Sequence, residues 1–444
     1  MKKTFEENDA GFQYVIDRKG IQAYDIHNQL FDQKVTSTKN NDECAGILNE
    51  WLQFFRKGHI GIAVLKNDLL ENTQKTIQTF PDWEKMEVDT TAFKKFLDTK
   101  KDFDLEGIWQ DGVYTIGIKK IDDQFVGFII DSQAEEWEKG QVKFRIYPDS
   151  VLFYMRNHSL NKLKQAYLAS RNLVFFDDFS NFWRIYPKYD DKYLNALINL
   201  EPYVEPIDDN TLYLQIPSFN TGYKTAIDSV LNTNKDKILS TKNLIIDIRN
   251  NGGGDDGSFS ELVSYLYTNP IRTVGVEYRS TKQNNEAMLD IANDTIYGTT
   301  ELLKNWARGS YKVLEKNLGK FVRLSPALSI DQRDTVYNYP QNVGIIIDNF
   351  CGSTTEQFLL AAKQSKKVKL FGKKTAGALD VSNLHRVDSP CKEFRLYYTR
   401  SKSYRIPDMA IDDAGIQPDF YLDDTIPEYQ WVDYVRSILD YDIQ

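Results

Sequence analysis

A chain of 444 residues, 41% hydrophobic and 27% charged, has room for about three domains and enough apolar material for large cores. Its net charge of −9 comes without a basic cluster, which excludes the usual electrostatic footprint of a binder of nucleic acid or of an anionic membrane. No apolar run approaches transmembrane length, and Met1-Lys2-Lys3 continues into Thr4-Phe5-Glu6-Glu7, which is no signal-peptide core.

Cys44, Cys351 and Cys391 permit at most one disulfide, and the scattered His27, His59, His158 and His385 argue against a metal site. In chain order, Asp42 to Lys57 places Cys44, Ile47, Leu48, Trp51, Leu52 and Phe55 at the spacing of an amphipathic helix, with Gly58 as its stop. His59 then opens a strand, Ile60 to Leu65. A histidine at such a corner can display chemistry or simply close the turn. Short β runs at 113–118, 125–130 and 142–146 predict a small antiparallel β unit, and 150–205 reads as connecting structure.

From Asn210 the pattern becomes α/β. Leu212 to Ile216 is a strand, Tyr223 to Leu239 a helix, and Asn243 to Ile248 a second buried strand that runs into Arg249-Asn250-Asn251-Gly252-Gly253-Gly254. Strand, glycine loop and helix in that order aim backbone N–H groups into a crevice. The loop has neither a P-loop lysine nor GxGxxG spacing, so no nucleotide cofactor is expected. Residues 268–340 read as a polar, partly helical insertion. Phe394 to Thr399 is β-rich, and Tyr429 to Leu439 is a last helix.

The stretch Val343 to Ile347 enters a polar turn and a helix reaching Ala362, with Ser353 at the helix's first turn. A helix N-terminus offers unpaired N–H groups and a positive dipole end, so Ser353 is a candidate nucleophile. Ser353-Thr354-Thr355-Glu356 is equally a capping box. Cys351 is a rival nucleophile in residue type alone, since a buried cysteine commonly only packs.

Three segments in this order, Leu244-Ile245-Ile246-Asp247-Ile248-Arg249-Asn250-Asn251-Gly252-Gly253-Gly254, Gly352-Ser353-Thr354-Thr355-Glu356 and Gly415-Ile416-Gln417-Pro418-Asp419, resemble the C-terminal-processing and tricorn-type serine peptidases. The resemblance implies an α/β fold with a crotonase-like ββα core, its sheet flanked by helices. It also implies a division into a helical cap carrying the base (1–100), a small antiparallel β domain that is a replacement for the family's PDZ-like domain or an insertion (101–165) and a catalytic domain (166–444). A Ser–Lys scheme would need a lysine where this chain has Ala378, Lys373 and Lys374 falling too early. The tricorn-like scheme implies His59 as base and Asp412 as acid, Asp413 in reserve, with Gly253 and Thr354 as oxyanion donors. His385, in the Asn383-Leu384-His385-Arg386 loop, is the rival base. The resemblance further implies a peptide or unfolded-protein substrate, no cofactor and no metal, and export to the periplasm or cell surface after loss of a signal peptide. A non-catalytic peptide- or lipophile-binding module is the alternative, because retinoid-binding relatives share the fold; an esterase is a third reading.

Overall fold

Leu244–Ile246 and Val343–Ile347 are near-continuous aliphatic runs, which suit strands covered on both faces. In the computed structural model, which describes residues 1–65, 80–101, 103–177, 179–189, 201–295, 300–423 and 425–441, these runs lie side by side and are buried throughout. They are the middle of a six-stranded sheet in the order 203–206, 211–215, 243–247, 342–347, 368–372, 420–421. The first pair is antiparallel and the other four are parallel. Helices flank this sheet, and the overall architecture is mixed α/β and multidomain. The helix Trp431–Asp440 packs so closely that a methyl on Gly344 would meet Val435 Cγ1 at 2.6 Å.

The chain divides into two compact units. One comprises Met1–Asp68, Glu201–Leu422 and Val435–Gln444; the other comprises Leu69–Leu200 and Asp423–Tyr434. These borders do not coincide with those expected at 100 and 165. Within the first unit a second sheet is antiparallel, built on the long hairpin Val381–Asp388 and Phe394–Ser403. Gly61–Val64 adds to its edge with Gly61 opposite Tyr397, which carries the segment just after His59 onto the hairpin. Three helices, Lys2–Asn8, Phe12–Lys19 and Ile21–Thr36, precede the expected one, which spans Asn41–Leu52. A buried ion pair fixes this cap: Arg56 Nη1 and Nη2 reach the Asp9 carboxylate at 2.8 and 2.6 Å, and Nη2 also donates to Thr399 Oγ1 at 2.9 Å. The 268–340 insertion contains a helical hairpin, Lys282–Ala292 with Glu301–Glu315, together with four short strands. Residues 296–299 of that insertion lie outside the described residues.

The second unit corrects the reading of 150–205. Strands 151–154, 160–163, 166–170, 173–176 and 180–186 join 107–110, 114–121, 124–132 and 142–146 in one nine-stranded antiparallel sheet. Residues 190–200 lie outside the described residues. The short strands escape a sequence reading because their pattern is broken: Leu160–Leu163 has its first leucine exposed and its last only half-buried, and Ser180–Tyr186 is placed by pairing with the remote 107–110. Trp109, Phe144, Phe176 and Phe182 form the core under the sheet.

Candidate active site

Ser353 sits where the strand Asn342–Ile347 turns into the helix Thr354–Ala362, at φ 57° and ψ −124°. A non-glycine residue held there costs about 1–3 kcal/mol, which the surrounding bonds must hold in place. Ser353 N–H donates to Ala378 C=O at 3.1 Å. The expected capping box is only half formed. The Glu356 carboxylate accepts Gly377 and Ala378 N–H at 2.8 Å each and the Thr375 hydroxyl, and lies near enough to Ser353 N–H for that group to draw its pKa down, while the Ser353 side chain makes no cap bond. The hydroxyl has no hydrogen-bond partner among the described residues and sits on a strained strand-to-helix turn of the kind that presents nucleophiles.

The glycine loop runs beside it. Gly253, at φ 105°, lies so close that a Cβ would meet Gly352 O at 2.7 Å, Ser353 Cβ at 2.8 Å and Thr354 N at 2.9 Å. Its N–H, however, donates to Asn251 Oδ1 at 3.0 Å. The N–H of Gly253, expected as an oxyanion donor, is thus engaged within its own loop. The Asn251 amide, which also accepts from Thr355 Oγ1 at 2.8 Å and donates to Ile216 C=O at 3.1 Å, ties the loop to the helix. The N–H groups of Gly252, Gly254 and Thr354 find no acceptor among the described residues.

A cleft of about 570 Å³ brings Ser353, Thr354, Gly252 and Gly254 together with His59, Asp255, Asp256 and the hairpin residues Ser382, Asn383 and Leu384. His59 occupies the left-handed region, φ 57°, at the corner after Gly58. Its Nδ1 lies 2.9 Å from Val381 C=O. A carbonyl only accepts, so Nδ1 carries the proton and Nε2 keeps the basic lone pair. Burial lowers the imidazole below its ordinary 6.5 and the Arg56 charge adds to this, against the opposing Val381 bond.

The hydrogen bonds of the Asp412 carboxylate go to backbone N–H groups rather than to the imidazole. Its Oδ1 accepts Leu379 and Asp380 N–H at 2.7 Å each, and its Oδ2 accepts Val381 N–H at 3.1 Å. Burial, with the Asp380 carboxylate beside it, pushes Asp412 up to about 6. Asp412, expected as the acid that orients His59, has its carboxylate on the backbone whose carbonyl holds the ring. Asp413 is exposed and accepts Lys57 N–H at 3.1 Å, also without reaching His59.

Gly58 explains why the missing lysine and the histidine belong together. A Cβ on Gly58 would meet Ala378 Cβ at 2.4 Å, so the His59 corner presses on the position where a Ser–Lys scheme would place its base. His385 is on a strand, not in a loop, opposite Tyr398 and outside the cleft lining; burial and the neighbouring Arg400 lower it to about 4. The Cys351 thiol is fully buried against Ile248 C=O and Asp348, and burial pushes it well up. The Val381 carbonyl and Asn251 went unrecognised in the sequence; only the place of Asn251 beside the glycines could have signalled it. The three cysteines, Cys44, Cys351 and Cys391, are free thiols.

A free serine hydroxyl, a neutral imidazole and unpaired N–H groups are what an acyl-transfer site requires, and the class they point to is a serine-type peptidase. Residues 210–422 match the model of peptidase family S41, which places that segment of the chain in the family. Among solved structures, mature CPAF complexed with lactacystin is similar at 11% identity and TM-score 0.53, over 99% of this chain and 96% of that one. Mature CPAF alone matches at 12% identity and TM-score 0.53, over 100% and 97%. The tricorn protease matches at 11% identity and TM-score 0.41, over 98% of this chain and 35% of that one. No curated protein matches the chain.

Proposed function

We propose that this chain hydrolyses peptide bonds in peptides or unfolded proteins through an acyl-enzyme on Ser353, with His59 as the base. The observation that carries the reading is that Ser353 and His59 line one cleft, with Nδ1 of the ring committed to Val381 C=O. His59 Nε2 takes the hydroxyl proton as Ser353 Oγ attacks the carbonyl carbon, and returns it to the leaving amine. Water then repeats the sequence on the ester. The oxyanion meets Thr354 N–H and one loop N–H, assigned here to Gly254, each worth roughly 10²–10³ in rate. Asp412 acts on the backbone at 379–381 rather than on the ring. The four parallel pairings around this turn support a crotonase-like core. Export from the cytoplasm remains part of the proposal through the resemblance alone.

Ser353→Ala is expected to abolish hydrolysis of a casein-derived peptide mixture with an unchanged circular-dichroism spectrum. His59→Ala is expected to suppress fluorophosphonate labelling of Ser353. Full turnover by the serine variant would remove the peptidase reading at this site, and ligand binding without turnover in the native chain would favour the non-catalytic module.

A further inference from the structure

Arg405 lies outside the groups that meet substrate, yet its guanidinium is buried and shared between the two halves of the site. Nε donates to Asp380 Oδ1 at 2.9 Å, with side chains 5% and 0% exposed. Nη1 reaches Gln357 Oε1 at 3.5 Å. Each partner leads to one reacting group. Gln357 is one turn along the nucleophile helix, its N–H donating to Ser353 C=O at 3.1 Å. Asp380 is strapped reciprocally to Asp412: Asp380 N–H donates to Asp412 Oδ1 at 2.7 Å, and Asp412 N–H donates to Asp380 Oδ2 at 2.8 Å. Asp412 in turn holds Val381 N–H, and Val381 C=O holds His59 Nδ1.

We propose that Arg405 is a positioning residue that fixes the distance between nucleophile and base by bridging Gln357 and Asp380, an inference that rests on the Ser353–His59 reading. The bridge needs arginine. A planar guanidinium offers donors in fixed, divergent directions and can serve two separated acceptors, whereas a lysine ammonium is a single point that keeps the charge near Asp380 and gives up the second reach. The strained Ser353 turn makes such a bridge useful, since it adds a side-chain tie to the bonds that already hold the helix start to residues 375–378. Burial pushes the carboxyl of the cleft residue Asp256 up, and the Arg405 charge is among the influences that oppose it.

The test measures turnover per serine, titrated with a fluorophosphonate, at a temperature well below unfolding. Arg405→Lys is expected to lower kcat about 10–100-fold, the order expected for a small misplacement of reacting groups, with KM within about twofold. Gln357→Leu, which leaves the Arg405–Asp380 pair intact, is expected to lower kcat in the same direction. It also guards against a folding defect in the arginine variant. A merely structural role would reduce the titrated fraction or the melting temperature and leave kcat per titrated serine unchanged; that result in both variants overturns the inference. Ser353→Ala run beside them separates the two claims: if it remains active, the nucleophile assignment fails, and if it is dead while both positioning variants turn over normally, only the role of Arg405 fails.

Discussion

Gly58→Ala tests the placement of the base with one methyl group. The added Cβ would stand 2.4 Å from Ala378 Cβ, where ordinary contact begins at 3.4 Å, so the two segments must part by about 1 Å (3.4 − 2.4). Overpacking of this kind costs about 1–3 kcal/mol in stability. The functional cost is larger, because His59 is the next residue and Ala378 C=O accepts the Ser353 N–H at 3.1 Å. Whichever segment yields, nucleophile and base separate, and a displacement of ~1 Å lowers rate by about 10²-fold. The assay is kcat per fluorophosphonate-titrated serine on a fluorogenic peptide. Moving the methyl across the contact supplies the control: in Gly58→Ala with Ala378→Gly the nearest remaining atom at that position is Ala378 Cα at 3.4 Å, and most of the activity is expected to return. A single variant within twofold of the native enzyme, or a double variant no better than the single, would refute the reasoning.

The pH profile follows from the ring. His59 is a base only when neutral and burial holds it below 6.5, so kcat/KM is expected to rise through a midpoint below 6.5 and stay level above it; a midpoint above 7 contradicts the assignment. Gly254→Ala should be among the most damaging loop substitutions, since its Cβ would meet Phe219 C at 2.2 Å from a backbone at φ 149°; soluble, fully active protein would contradict this tight placement of the loop. In the nine-stranded unit, Lys143 is 1% exposed, with its ammonium 4.1 Å from the Trp137 ring centre and 4.4 Å from that of Tyr114, and burial lowers it to about 7. The unfolded chain then binds the extra proton between about pH 7 and 10.5, so stability rises with pH across that window, by on the order of 1 kcal/mol per pH unit. Lys143→Met is expected to flatten this dependence in urea titrations, and an unchanged slope would count against it.

Much of the site could be read in the residues themselves. Val343 to Ile347 followed by Gly352-Ser353-Thr354 marks a buried strand entering a helix whatever the rest of the chain does, because aliphatic runs and helix starts are local properties. The glycine run after Ile248 is legible for the same reason: the positive φ of Gly253 and Gly254 and their contacts under 3 Å demand residues without a side chain. Ala378 in place of a lysine turned attention to His59, and the Gly58–Ala378 contact gives that substitution a spatial meaning. What the tertiary structure decided were the hydrogen bonds. Asp412 met three N–H groups rather than the ring, Gly253 N–H was taken by Asn251, and the orienting acceptor proved to be the Val381 carbonyl, a group every residue carries and no sequence distinguishes. The nine-stranded sheet was hidden likewise, since strands such as 180–186 and 107–110 acquire their identity from a partner some seventy residues away. Local chemistry names the groups; only the packed chain settles which donor reaches which acceptor, because neighbours brought together by folding compete for each one.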